Sequence, residues 1–161
     1  MPGSAWARLI VSWVLRLATA AALSIDAAVH LGNAGAYDDI KATFTQGGLF
    51  RFEAGVAMAA ALLVLVWPRR PAWILALLVG ASALAAVLVY RYVDIGQLGP
   101  FPSMYENTWQ VPGKLLSAWA EGATVVLATA GLLVHWRRPY GRATTGRWVS
   151  ARREAGTAHR P

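Results

Sequence analysis

The chain has 161 residues, 57% of them hydrophobic and 14% charged, with no cysteine and a formal net charge of +7. A soluble domain carries about a quarter charged residues and a chain this apolar does not stay unfolded in water, so an ordinary soluble domain and intrinsic disorder are both excluded. Without cysteine there is no disulfide framework, no thiolate metal site and no thiol redox chemistry of the chain's own.

The first apolar run, 11–31, is interrupted by Arg16 and Asp26. Arg8 ahead of it and small residues at 18–22 give it some look of a signal peptide, but Arg16 splits the apolar stretch, and the run is expected to remain as a helix. The second run, 49–67, carries Arg51 and Glu53 in its first turns. It reaches the third, 72–90, through Pro68, Arg69, Arg70 and Pro71 alone, a tight helical hairpin in which each proline stops or starts a helix. The third run has no charge, and the fourth, 115–136, has Glu121 as its one acidic residue. Each run is close to the ~20 residues an α-helix needs to cross the hydrocarbon core. Helices of a soluble bundle would show polar outer faces, and 74–88 has none, so the expectation is an all-α, polytopic membrane four-helix bundle.

Charge sorts the connections into two kinds. Ten of the fifteen Lys and Arg lie in the N-terminal residues, the hairpin and the segment after Trp136, whereas the longer loops 32–48 and 91–114 hold Lys41, Arg91 and Lys114. Basic residues stay on the cytoplasmic side. Both termini are therefore expected inside and the two longer loops outside, with Trp13, Trp67, Trp73 and Trp136 at the inner interface. Residues 1–136 form one transmembrane domain. Residues 137–161 form a basic cytoplasmic tail without fixed structure, seven arginines against Glu154. No nucleic-acid motif frames those arginines, so their expected partner is the anionic headgroup layer of a bacterial plasma membrane and not nucleic acid.

Ionisable groups at membrane depth are costly and mark either function or a paired structural network. Here every helix contributes to a layer near the outer ends. Asp26 and His30 share a face four residues apart on the first helix. Glu53 and Arg51 begin the second, Arg91, Tyr92 and Asp94 end the third, and Lys114 begins the fourth, with Glu121 two turns further along the same stripe. Together with Glu106 of the second long loop, the set Asp26, His30, Glu53, Arg91, Tyr92, Asp94, Lys114 and Glu121 is the candidate ligand-binding site. Two readings compete. In one, Asp26, Glu53, Asp94 and Glu121 pair with Arg51, Arg91, Lys114 and His30 and fix helix packing alone; in the other they line a site. One imidazole and three carboxylates on three helices also suit a metal ion, although the paired Glu-x-x-His spacing of a bundle carboxylate site is missing. His30 and His135 stand at opposite faces, which argues against two-histidine haem ligation. In the loops, Ile40 and Phe44 are spaced for a short interfacial helix, Gly47-Gly48 reads as an ordinary start to the second helix, and the aromatics of 91–114 serve as interface anchors or as a cap over a pocket.

The set His30-Leu31, Tyr37, Gly48-Leu49-Phe50 with Glu53, then Arg91-Tyr92-Val93-Asp94, Gly99-Pro100 and Met104-Tyr105-Glu106 resembles a group of small uncharacterised four-helix membrane proteins of actinobacteria. The layout is also similar to that of DoxX-like proteins, in which a Gly and a Glu mark the start of the second span, here Gly48 and Glu53. Some DoxX-like proteins are membrane subunits of quinone-linked sulfur or thiol redox systems, and the resemblance implies at most a partner role in such chemistry. The expected function is a binding or accessory subunit, not itself an enzyme, acting on a membrane protein partner or small ligand through the outer polar layer. The alternatives are a quinone-linked redox subunit, with His30 or Tyr92 bonded to the quinone, and an oligomeric proton- or cation-coupled transporter using Glu53 and Glu121.

Overall fold

Each of the four apolar runs falls on one helix; three lie wholly within it, and the second overruns the end of its helix by one residue. In a computed structural model, described over residues 3–136, α1 is Gly3–Ala34, followed by a single 3-10 turn at Gly35–Tyr37; α2 is Gln46–Val66, α3 Arg70–Tyr92 and α4 Lys114–Trp136. Local chemistry sets the ends. The Thr45 hydroxyl accepts the backbone N–H of Gly48 at 2.9 Å and caps α2. Pro71 sits in the first turn of α3, where its missing N–H costs nothing. Gly113, at φ +79°, makes the left-handed turn into α4 close against Val29.

All four helices are long and apolar enough to cross a membrane. Their outward faces carry Ile10, Leu17, Leu62, Leu78, Val126 and Leu133, while the interior is built largely of alanine: Ala20, Ala27, Ala54, Ala57, Ala60, Ala61, Ala76 and Ala128. Large apolar side chains outside and small ones inside are the reverse of a soluble bundle. They are what close helix packing in lipid requires. The fold is an all-α, multi-pass membrane bundle. α1 packs on α2 and α4, α3 packs on α4, and the seam between α2 and α3 is the sparsest of the four that close the ring.

The end of the bundle that holds the α2–α3 hairpin is tightly closed. Arg16 donates from Nε to the carbonyl of Val64 at 3.2 Å and lies over the Trp13 ring at 3.8 Å. It thus satisfies one of the carbonyls left open at the C-terminus of α2. Trp13 and Trp67 are exposed, as interfacial anchors would be, but Trp73 is 0% exposed. Its ring fills the core between α3 and α4, 5.4 Å from the ring of His135 and directly over Gly131. Residues 137–161, the predicted basic tail, lie outside the described residues.

Loop one also differs from expectation. Ile40 and Phe44 are not on a helix; residues 38–45 bend, with an antiparallel bridge between Lys41 and Thr45. The cause is a partner from the other loop. The N–H of Phe44 donates to the carbonyl of Pro100 at 3.1 Å and its ring packs at 5.8 Å from Phe101.

Two glycines of α4 test the packing. A Cβ at Gly131 would overlap the rigid Trp73 ring, whereas one at Gly122 meets nothing within 4 Å. Gly131→Ala is expected to destabilise the bundle by about 1–3 kcal/mol through overpacking, and Gly122→Ala to stabilise it by up to about 1 kcal/mol through helix propensity. Thermal melting of the two variants in detergent reads the difference.

Candidate functional site

At the end of the bundle away from the hairpin, α1, α2 and α4 bring four titratable groups together. Asp26 of α1 and Glu121 of α4 are 2% and 1% exposed. Ser117, four residues before Glu121 on the same face of α4, lies between them, with its hydroxyl 2.5 Å from Asp26 Oδ1 and 2.9 Å from Glu121 Oε1. His30, one turn above Asp26 and 12% exposed, places Nδ1 3.1 Å from the Asp26 backbone carbonyl, 3.2 Å from Asp26 Oδ1 and 3.3 Å from Glu53 Oε2 of α2. A nitrogen facing three oxygens carries the proton and donates. The edge of the Phe50 ring packs on the imidazole at 5.1 Å and fixes its plane.

The cluster has more acceptors than donors. Three carboxylates face one hydroxyl proton and one imidazole N–H, and Glu121 Oε2 and both oxygens of Glu53 are buried with no hydrogen-bond partner. Each buried acceptor left open carries its desolvation cost, roughly 1–3 kcal/mol and more for a charged group.

Beside the cluster is a cavity of about 600 Å³, within the range of small-molecule sites, roughly 300–1,000 Å³. His30, Glu53 and Ser117 form its polar wall, and Leu49, Phe50, Ala83, Ala86 and Val87 its apolar one. Loop two roofs it with Leu98, Phe101 and Met104, and Glu106 ties the roof down. The Glu106 carboxylate accepts from the Tyr37 hydroxyl at 2.9 and 3.1 Å and stands 3.7 Å from Lys114 Nζ; its carbonyl accepts from Lys114 at 2.9 Å and its N–H donates to Tyr90. One residue thereby joins the ends of α1 and α3 and the start of α4.

The predicted residues divide accordingly. Asp26, His30, Glu53 and Glu121 converge in one buried cluster. Glu106 and Lys114 converge on the opposite wall. Arg91 stands over the rings of Tyr92 and Trp109, at 5.0 and 5.7 Å. Tyr92 is 65% exposed and faces away, and Asp94 accepts the N–H of Gly96 in a local turn, so neither is part of the cavity. Arg51, expected among the buried acids, instead makes a two-pronged pair with Asp38, both contacts at 2.7 Å. The guanidinium holds the half-exposed Asp38 carboxyl below its ordinary value of 3.8. Gly47 explains that placement: a Cβ there would overlap the Ala34 carbonyl and the Asp38 carboxylate, so the start of α2 lies directly against the end of α1.

Ser117 and Tyr37 are the functional residues that composition does not single out. The signal for Ser117 is positional, a small hydroxyl four residues before a buried Glu on one helix face. No protein-family model, curated protein or solved structure matches the chain, and the functional reading rests on this geometry.

Ser117→Ala removes the group between Asp26 and Glu121 and is expected to destabilise the protein by about 1–3 kcal/mol, read by melting against Ser82→Ala, whose hydroxyl bonds only within its own helix. In the outer pair the sign follows from the depressed carboxyl. Its contribution to stability is present above the unfolded value and is lost as pH falls through the folded one. Carboxyl NMR of Asp38 is expected to titrate below 3.8 in the wild type and to move up in Arg51→Gln.

Proposed function

We propose that the protein is a binding subunit of the bacterial plasma membrane that takes a small amphipathic molecule into the cavity between α2 and α3, on the outer side of the bilayer. The observation that carries this reading is the cavity's two-sided wall. A purely structural ion-pair network would leave no volume beside it, and here about 600 Å³ adjoins three side chains of the cluster. The apolar wall suits a ring or short acyl body. His30, Ser117 and Glu53 suit a hydrogen-bonding head. Ser82 and Ala86 of α3 line the cavity and are also exposed at the sparsest helix seam, so a ligand dissolved in lipid reaches it from the side. The charge distribution supports the orientation, with loops 32–48 and 91–114 outside.

A DoxX-like reading is compatible with the same cavity. In it the occupant is a quinone ring with His30 as the donor to its carbonyl; the exposed Tyr92 is not available for that role.

The test is to fill the cavity. Ala86→Trp is expected to leave melting within a few degrees of the wild type and to abolish the bound small molecule that native mass spectrometry finds on wild-type protein extracted from its own membranes. Identical spectra for the two proteins would refute the reading, and a quinone mass on the wild type would select the second form of it.

A further inference from the structure

The proton and charge count of the buried cluster points beyond an organic ligand. Three carboxyl groups face a single imidazole in the cluster, so it is acid-rich even with His30 protonated. The three Lys and Arg of this layer are held elsewhere, Arg51 by Asp38, Lys114 by Glu106 and Arg91 over the rings of Tyr92 and Trp109. Glu121, 99% buried, keeps Oε2 without a hydrogen-bond partner, and so do both oxygens of Glu53. One ligand atom each from Asp26, His30 and Glu121 all lie within 4.8 Å of one another. An ion with bonds of about 2.1 Å spans up to about 4.2 Å between opposite ligands, so small side-chain rotations close the set.

We propose that Asp26, His30 and Glu121 form a binding site for a divalent first-row transition-metal ion, with Glu53 available as a fourth ligand from the cavity side. The ion takes the place of the proton on His30 Nδ1 and offsets the excess negative charge, and it gives the open carboxylate oxygens a partner. An imidazole with carboxylates selects Zn²⁺, Mn²⁺, Fe²⁺ or Co²⁺ over Ca²⁺ and Mg²⁺, which take oxygen alone, and the absence of cysteine disfavours Cu⁺. Ser117 stands in the second layer, its hydroxyl orienting both acidic ligands. Asp26 and Glu121 lie outside the cavity lining, and His30, which lines it, meets Asp26 through Nδ1, so the three-ligand set shares only His30 with the cavity.

The experiment uses the full chain in detergent, stripped with chelator and titrated with Co²⁺, followed by visible absorption and elemental analysis. The expected result is one Co²⁺ per chain, with affinity reduced about 10–100-fold in Ser117→Ala and absorption lost in the double variant Asp26→Asn/Glu121→Gln. Asp94→Asn, in a loop turn outside the cavity, is expected to bind as the wild type does. Stripped wild type that takes up no Co²⁺, or a folded double variant that binds unchanged, would overturn the site. Should the double variant not fold, the wild type decides it. Bound Co²⁺ must shift the imidazole resonances of His30 and leave those of His135 and His159 in place, and any other pattern rejects the assignment. Ala86→Trp is expected to bind Co²⁺ normally, so failure of the metal site and failure of the cavity reading give different results.

Discussion

Three carboxylates that must share one hydroxyl proton and one imidazole N–H set the terms for the rest of this molecule. In water each acid would take what it lacked from solvent. Inside a bilayer every polar group has to find its partner in the protein, and Asp26 and Glu121 lie too deep for solvent to help. Ser117 and His30 therefore hold three helices at fixed distances, and a small displacement of α4 would separate Ser117 from Asp26. The alanine core answers the same need. Ala27, Ala54 and Ala128 let the backbones approach closely enough for short polar side chains to meet.

The two ends of the bundle are built on opposite principles. At the hairpin end, the short connection between α2 and α3, the Arg16–Val64 contact and the Trp73 ring over Gly131 leave no space. At the far end the same two helices diverge, and small residues at 82, 83 and 86 do not fill the seam. Loop two occupies part of it, held by Glu106. Loop one does not stand alone either: Phe44 is bonded to Pro100 and stacked on Phe101, so the two loops form one cover. The cavity is thus a consequence of topology, a hairpin closed at one end with its open end roofed by irregular chain.

Four spans and the gathering of acids at one end were legible in the sequence, because hydropathy over ~20 residues and an i, i+4 spacing are local properties. Asp26 with His30, and Glu121 with Lys114 on one stripe, could be placed from helical geometry. Partner choice between helices could not. Arg51 and Glu53 are two residues apart on α2 and so point to different sides; which of them enters the bundle depends on Gly47 letting α2 lie against Ala34, a contact across the chain. Trp73 failed for a similar reason. A tryptophan near a span end reads as an interfacial anchor unless a glycine on another helix, here Gly131, leaves room for its ring.

The fate of the basic residues separates the two readings of the polar layer. Had Arg51 or Lys114 turned inward, each would have closed a salt bridge with Glu53 or Glu121, and the acids would be fully paired, with helix packing as their whole role. Both cations are instead fixed outside the cluster, one joining the end of α1 to the start of α2 and the other anchoring the roof through Glu106. Pairing them there leaves the interior acids in excess and next to an open volume. Retaining three buried carboxylates against a single imidazole is expensive in a low-dielectric interior. The cost depends on something from outside the chain, a proton, a metal ion or the head of a ligand, to offset it. That dependence, more than the presence of charge in the membrane, supports reading this end of the bundle as a binding site.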